Sequence, residues 1–169
     1  MASFHERITE LFETHYARLH RVLHRLSGDS DLAADYAQGA FVRLYQRGSL
    51  PDAPEAWLVT VALNLLRNER SMHRRRLRLL TPARGEEVLA DPPPPPDRTA
   101  EAEETRRRVR RALDRLSERE RALLTLHAEG YRYRDIAAAL GLHEPSVGTL
   151  LARARRAFRQ CYEDAFHAP

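Results

Sequence analysis

The sequence predicts an all-α protein, with two small helical domains joined by a flexible, acidic, Pro-rich linker and a helix-turn-helix in the second domain. Three observations lead there. Apolar residues recur at three- and four-residue steps in both halves, and no stretch alternates as a strand would. Asp91-Pro92-Pro93-Pro94-Pro95-Pro96-Asp97 breaks the pattern with an extended segment whose prolines have no N–H to donate. Finally, Tyr133 to Phe158, YRDIAAALGLHEPSVGTLLARARRAF, reads as two short helices with a tight turn between them.

Taken in order, Ser3 can cap a first helix that carries Ile8, Leu11, Phe12, Leu19, Val22, Leu23 and Leu26 inward. Ser27-Gly28-Asp29-Ser30 ends it. A second helix is expected from about Leu32 to Gln46, with Tyr36, Ala40, Phe41, Leu44 and Tyr45 inward and Gly48 past its end. After Pro51 and Pro54, a third helix starts near Glu55 and buries Trp57, Leu58, Val61, Leu65 and Leu66, Trp57 being the expected largest contributor to the core. The periodicity then fades between Leu80 and Glu104. A Pro-rich docking motif is the alternative to a linker there. A fourth helix, Ala102 to Leu116, is apolar at Val109, Ala112, Leu113 and Leu116. Ser117 and Glu120 have capping-box spacing for a fifth, which buries Ala122, Leu123 and Leu126 and stops at Gly130.

In the helix-turn-helix, Ile136, Ala137 and Leu140 form one apolar face and Gly141 supplies a residue able to take positive φ. Glu144 and Pro145 begin the second helix, Pro being tolerated where its missing N–H has no partner to lose. Val147, Leu150, Leu151 and Ala154 face inward, and the helix runs on to about Tyr162. An ordinary helical hairpin would show the same packing. The run of Arg153, Arg155, Arg156 and Arg159 on the same helix favours entry into a DNA major groove.

Charge points the same way. All 28 basic residues are Arg, a usage that a GC-rich genome also produces, and the formal net charge is +4. The charge is unevenly spread: Arg106 to Arg159 holds 14 Arg against 6 acids, whereas Glu86 to Glu104 holds 7 acids and one Arg. A basic module beside an acidic tether suits a polyanionic partner. On the third helix, Thr60, Asn64, Arg67, Ser71 and Arg74 fall on one line, and Arg75, Arg76 and Arg78 extend it. A solvated face would look similar, but hydroxyl, amide and guanidinium groups with no acid among them suit a nucleic-acid backbone.

Catalytic constellations are absent from the sequence. His20 and His24 lie one turn apart without a third ligand in sequence, and the single Cys161 sits in no motif, so neither a metal nor a cofactor is expected. No phosphate-binding Gly-rich loop or nucleophile elbow occurs. A lone cysteine, an N-terminus without signal-peptide pattern and apolar runs too short to span a bilayer predict a soluble, cytoplasmic protein with no membrane insertion.

With these residues in place, the chain resembles the extracytoplasmic-function (ECF) group of the sigma-70 family, bacterial factors that give RNA polymerase its promoter specificity. FETHYARLHRVLHRLSGDSDLAADYAQGAFVRLYQR and AWLVTVALNLLRNERSMHRRR resemble the promoter-melting domain, sigma region 2, over residues 1–79. LSERERALLTLHAEGYRYRDIAAALGLHEPSVGTLLARARRAF resembles the upstream-element domain, region 4, over 105–169, with a linker at 80–104. The resemblance implies core RNA polymerase and promoter DNA as partners, an anti-sigma factor as a regulator, and no enzymatic activity. It assigns polymerase docking to Asp35, Gln38 and Phe41 and places Asn64 near the base captured from the −10 element, so the stripe of Thr60, Asn64, Arg67, Ser71, Arg74 and Arg75 is expected on the −10 side. It assigns −35 contacts to Glu144, Pro145, Ser146, Gly148, Thr149, Ala152, Arg153 and Arg156.

The chain departs from the family pattern at several of these places. Gly39 stands where Glu is usual and Asn68 where Asp is frequent, and the loop before Trp57 offers Leu50 and no aromatic. Gly148 and Leu150 replace residues that are often basic, and Ala152 a larger side chain. Two alternatives follow: a free-standing helix-turn-helix regulator, or a polymerase-docking adaptor with a degenerate DNA reader.

Overall fold

A computed structural model of the chain describes residues 3–80 and 100–167, with the side chains of 3–72 and 100–164. Among them there are seven α-helices, one 3-10 turn and no strand. The chain divides into two compact units, Met1–Asp91 and Pro92–Pro169.

In the first unit, α1 (Phe4–Ser27), α2 (Ser30–Arg47) and α3 (Pro54–Leu80) pack against one another. Each start has a chemical cause. Ser3 and Glu6 form a reciprocal capping box, the Glu6 N–H donating to Ser3 Oγ (3.2 Å) and the Ser3 N–H to Glu6 Oε2 (2.6 Å). Asp29, expected only as part of a helix terminator, caps α2 by accepting from the Asp31 and Leu32 N–H groups at 2.9 and 3.0 Å. Gly28 leaves α1 at φ 76°, which is why two residues suffice to turn the chain.

Leu19, Val22, Leu23 and Leu26 of α1 meet Ala33, Ala37, Ala40, Phe41 and Leu44 of α2 and Ala56, Leu58, Val59, Ala62, Leu63 and Leu66 of α3 in a common core. Leu58 and Leu66 are buried as expected, but the rest of the expected inward face of α3 is corrected. Trp57, Val61 and Leu65 are half-buried at its flank, and the fully buried large side chains are leucines and valines. The small residues of α2 explain the shift. Alanines at 33, 37 and 40 let the helices approach closely, so the neighbouring leucines fill the space a central Trp would have taken. Tyr45, also expected inward, is 53% exposed.

Polar bonds add to this core. Arg18 of α1 donates to Glu55 Oε1 of α3 at 2.7 Å, and Arg70 of α3 donates to the Leu26 carbonyl, an acceptor that the end of α1 leaves open. Burial, then the charges of Glu69, Asp35 and Asp29, holds the Tyr36 phenol above the usual tyrosine range, with Arg70 opposing. Folding therefore favours the protonated phenol, a contribution lost only as pH rises through that raised value.

In the second unit, α4 (Ala100–Asp114) begins inside the stretch expected as linker. Glu104 anchors its first turns: a hydrogen bond from Arg108, with the charges of Arg107 and Arg108, holds its carboxyl below the usual range. Ser117 and Glu120 form the expected capping box of α5 (Glu118–Ala128). Arg121 reaches back to Asp114 Oδ1 (3.3 Å) and the Leu116 carbonyl (3.4 Å), closing the end of α4 onto the start of α5. Then come α6 (Tyr133–Leu140), a 3-10 turn at Glu144–Ser146 and α7 (Val147–His167). Gly141 takes φ 64° and the Leu142 N–H donates to the Ala137 carbonyl at 2.8 Å, the six-to-one closure that ends a helix sharply. Ile136, Ala137, Leu140, Val147, Leu151 and Ala154 are buried, the packing of a helix-turn-helix. Leu150, expected inward, is half-buried at the rim.

Candidate nucleic-acid interface

Two faces, one on each unit, carry the residues that the sequence singled out for nucleic acid. On α3, Asn64, Arg67 and Ser71 are exposed in one line, with Asn68 beside them. Thr60 heads the line half-buried, its hydroxyl donating to the Ala56 carbonyl at 2.8 Å, so it keeps only its lone pairs for a ligand. The helix continues through Arg74 and Arg75, whose side chains lie outside the described residues.

Leu50 does not join that face. With Leu11, Thr14 and Pro54 it lines a shallow cleft of about 240 Å³ on the α1 side. Glu55 faces α1 through Arg18, and Asn64, nine residues on, lies two and a half turns away on the opposite side of α3.

On α7 and the 3-10 turn before it, Glu144, Pro145, Ser146, Thr149, Ala152, Arg153 and Arg156 are all exposed, and Gly148 is half-buried among them. Steps of three and four residues put them on one face, opposite the buried Val147, Leu151 and Ala154. Pro145 lies in the first turn of that 3-10 segment, where its missing N–H costs no helical bond, and the α-helix proper begins at Val147. A Cβ added at Gly148 would lie 3.7 Å from Tyr133 Cε2, an ordinary contact. The glycine is therefore not forced by crowding within the protein.

The α2 residues divide. Asp35 and Gln38 are exposed, and the same helix face continues through Val42 and Tyr45, 52% and 53% exposed. Phe41 is 6% exposed, its ring edge-on to Phe12 at 5.0 Å, so most of its side chain lies in the core beneath that face. A Cβ at Gly39 would lie 3.2 Å from Leu65 Cδ1, a tight contact that the end of that half-buried side chain would have to relieve by a few tenths of an ångström.

Sequence reasoning missed Tyr45, Val42 and, above all, Tyr133, which is 42% exposed beside Gly148. A signal was available: Tyr133 is set between Arg132 and Arg134, an aromatic interleaved with bases' usual phosphate partners. Among the described residues, no group of three or more His, Cys, Asp or Glu is placed to hold a metal ion, and no helix is long and apolar enough to cross a membrane.

If the α7 face meets a duplex, Arg153, exposed and cationic, serves a phosphate. Arg153→Ala is then expected to weaken binding about equally at all promoters and to lower the slope of log K against log salt by about one. Promoter binding measured across a salt series checks this.

Comparison with known proteins bears on both units. Residues 11–76 match the family model for Sigma-70 region 2, and residues 106–158 that for Sigma-70 region 4. The chain is 31% identical over 155 residues to the ECF RNA polymerase sigma factor SigE of Mycolicibacterium smegmatis, covering 89% of this chain but only 59% of that protein. It is 33% identical over 150 residues to the ECF RNA polymerase sigma factor SigM of Mycobacterium tuberculosis, covering 86% of this chain and 72% of SigM. Among solved structures, the sigma factor RpoE from Bartonella quintana, crystallised with the anti-sigma factor NepR, has the same fold. The TM-score is 0.72 at 20% identity, over 93% of this chain and 97% of that one. Helical units of the right kind, in the right order and matched along most of their length, leave one conclusion: this chain belongs to the sigma-70 family, in its ECF group of RNA polymerase sigma factors.

Proposed function

We propose that this chain binds core RNA polymerase and directs it to a class of promoters, melting DNA by binding energy and not by catalysis. The observation that carries the reading is the pair of exposed, sequence-separated faces, the amide-and-guanidinium line of α3 and the α7 face, each on a unit matched to a DNA-handling sigma region. Residues 1–79 act as the polymerase-binding and −10 domain, 105–169 as the −35 domain, and 80–104 as the segment between. Asp35 and Gln38 dock on polymerase, with Val42 and Tyr45 extending that contact. An anti-sigma factor, the kind of partner bound in the RpoE structure, regulates the chain in the cytoplasm.

A role for each −10 group follows from its chemistry. Arg67 donates but cannot accept, which suits phosphate; Asn64 does both, which suits the edge of an unstacked base. Asn64→Ala is expected to reduce open-complex formation several-fold and to blur preference at one −10 position, with closed complexes near normal. Arg67→Ala should weaken binding at every sequence. Permanganate footprinting of the melted bubble separates the two, and a full bubble with unaltered base preference in the Asn64 variant would leave the stripe as a solvated face.

Transcription by purified core polymerase from a genomic promoter library, with and without the chain, tests the whole reading. Promoter-specific transcripts that require the chain support it. Tight, sequence-specific duplex binding by the chain alone at physiological salt would identify a free-standing regulator instead.

A further inference from the structure

The α7 face has an unusual chemical make-up for a reader of DNA. From Glu144 to Ala152 its exposed side chains are Glu144, Pro145, Ser146, Thr149 and Ala152. None is a cation or an amide. Guanine is read in the major groove through two acceptors, O6 and N7, which call for a bidentate Arg or Lys, and adenine calls for Asn or Gln. Neither kind of group is available between Glu144 and Ala152. What the middle of this face presents is apolar surface: the methyl of Ala152, the methyl of Thr149 and the bare backbone of Gly148.

Tyr133 completes that surface. It opens α6, its ring lies 5.9 Å from that of His127, and it is 42% exposed. Because Gly148 has no side chain, the Tyr133 ring edge is uncovered on the α7 side; a Cβ at 148 would already touch it at 3.7 Å, and any longer side chain would extend across it. Gly148 and Ala152 are one turn apart, so ring and methyl border the same strip of helix. Exposed arginines bracket the strip, Arg132 and Arg134 on either side of Tyr133 in sequence and Arg153 and Arg156 along α7. Exposed arginines suit phosphates, and the uncharged centre suits base edges.

Building on the proposed function, we infer that Tyr133, Thr149 and Ala152 form a thymine-reading patch that selects the upstream promoter element by its 5-methyl groups. The methyl is the one major-groove feature of thymine that an apolar side chain can recognise. Glu144 stands at the far end of the face, where its carboxylate can accept from a cytosine amine. Cations confer grip on any sequence, and the apolar patch confers choice.

The test uses holoenzyme reconstituted from core polymerase and the full chain, on a promoter that it transcribes, with each thymine of the upstream element replaced in turn by deoxyuridine. That exchange removes only the methyl. Loss of one buried methyl should lower promoter affinity roughly three- to fivefold at one or more positions. In Tyr133→Ala the sensitivity at a position should vanish, whereas Tyr133→Phe should keep it and the salt slope should stay that of wild type. Gly148→Gln, which lays a polar chain over the ring, should abolish the same methyl effect and guards against misfolding of the Tyr133→Ala protein. An upstream element indifferent to every deoxyuridine, or a methyl effect that survives both Tyr133→Ala and Gly148→Gln, overturns the inference while promoter-specific transcription continues. Failure of the wild-type holoenzyme to transcribe any promoter specifically would instead remove the functional reading beneath it.

Discussion

Leu151→Ala is expected to cost the unit of α4 to α7 about 2–5 kcal/mol and to leave much of it unfolded at 37 °C. Leu151 is fully buried on the inner face of α7, between the equally buried Val147 and Ala154, so the lost methyl groups leave a cavity that its neighbours cannot easily close. A domain of this size holds only several kcal/mol in reserve, and one large core truncation removes most of it. The next residue provides the control. Leu150 lies half-buried at the rim, where water can fill the space, so Leu150→Ala should cost well under half as much. Urea unfolding followed by circular dichroism measures both. Equal losses for the two leucines would mean that α7 is rotated from the packing described.

Asp35→Arg is expected to reduce core-polymerase affinity by about tenfold or more without changing stability by more than ~0.5 kcal/mol. Asp35 is exposed at the N-terminal end of the α2 face, so the substitution disturbs no core contact. It converts an acceptor into a donor and reverses the charge, and like-charge or unpaired groups at an interface cost far more than an equivalent change on free surface. Gln38→Ala, one turn along, should show a smaller loss in the same assay. Polymerase pull-down or fluorescence anisotropy with labelled chain reads the affinity, and thermal melting confirms the fold. Unchanged affinity in both variants would place the docking face elsewhere.

Local chemistry made a good deal of this protein legible in advance. The capping box at Ser117 and Glu120, the positive-φ glycines at 28, 48 and 141, and the helix-turn-helix from Tyr133 onward all depend on residues within a few positions of one another. Such signals survive whatever the rest of the chain does. The α7 face was legible too, because a buried row at Val147, Leu151 and Ala154 leaves only one face for Thr149, Ala152, Arg153 and Arg156.

Periodicity misled where a helix has two candidate apolar rows. On α3 the inward face was expected to include Trp57, Val61 and Leu65, yet Ala56, Val59, Ala62 and Leu63 are buried beside the expected Leu58 and Leu66. On α2, Ala40, Phe41 and Leu44 are buried as expected, but Ala33 and Ala37 complete the row and Tyr45 turns outward. Helical spacing can state that two residues share a face but not which of two apolar faces meets the neighbour. Helix position, end and class were therefore determined by the sequence itself, through caps, glycines and spacing that act over a turn or less. Rotation of α2 and α3, the burial of Phe41, the closeness of Gly39 to Leu65, and the placing of Tyr133 beside Gly148 were decided only by the tertiary structure. Each depends on how closely two helices approach, and that distance is set by side chains far apart in the chain that must fill one volume together.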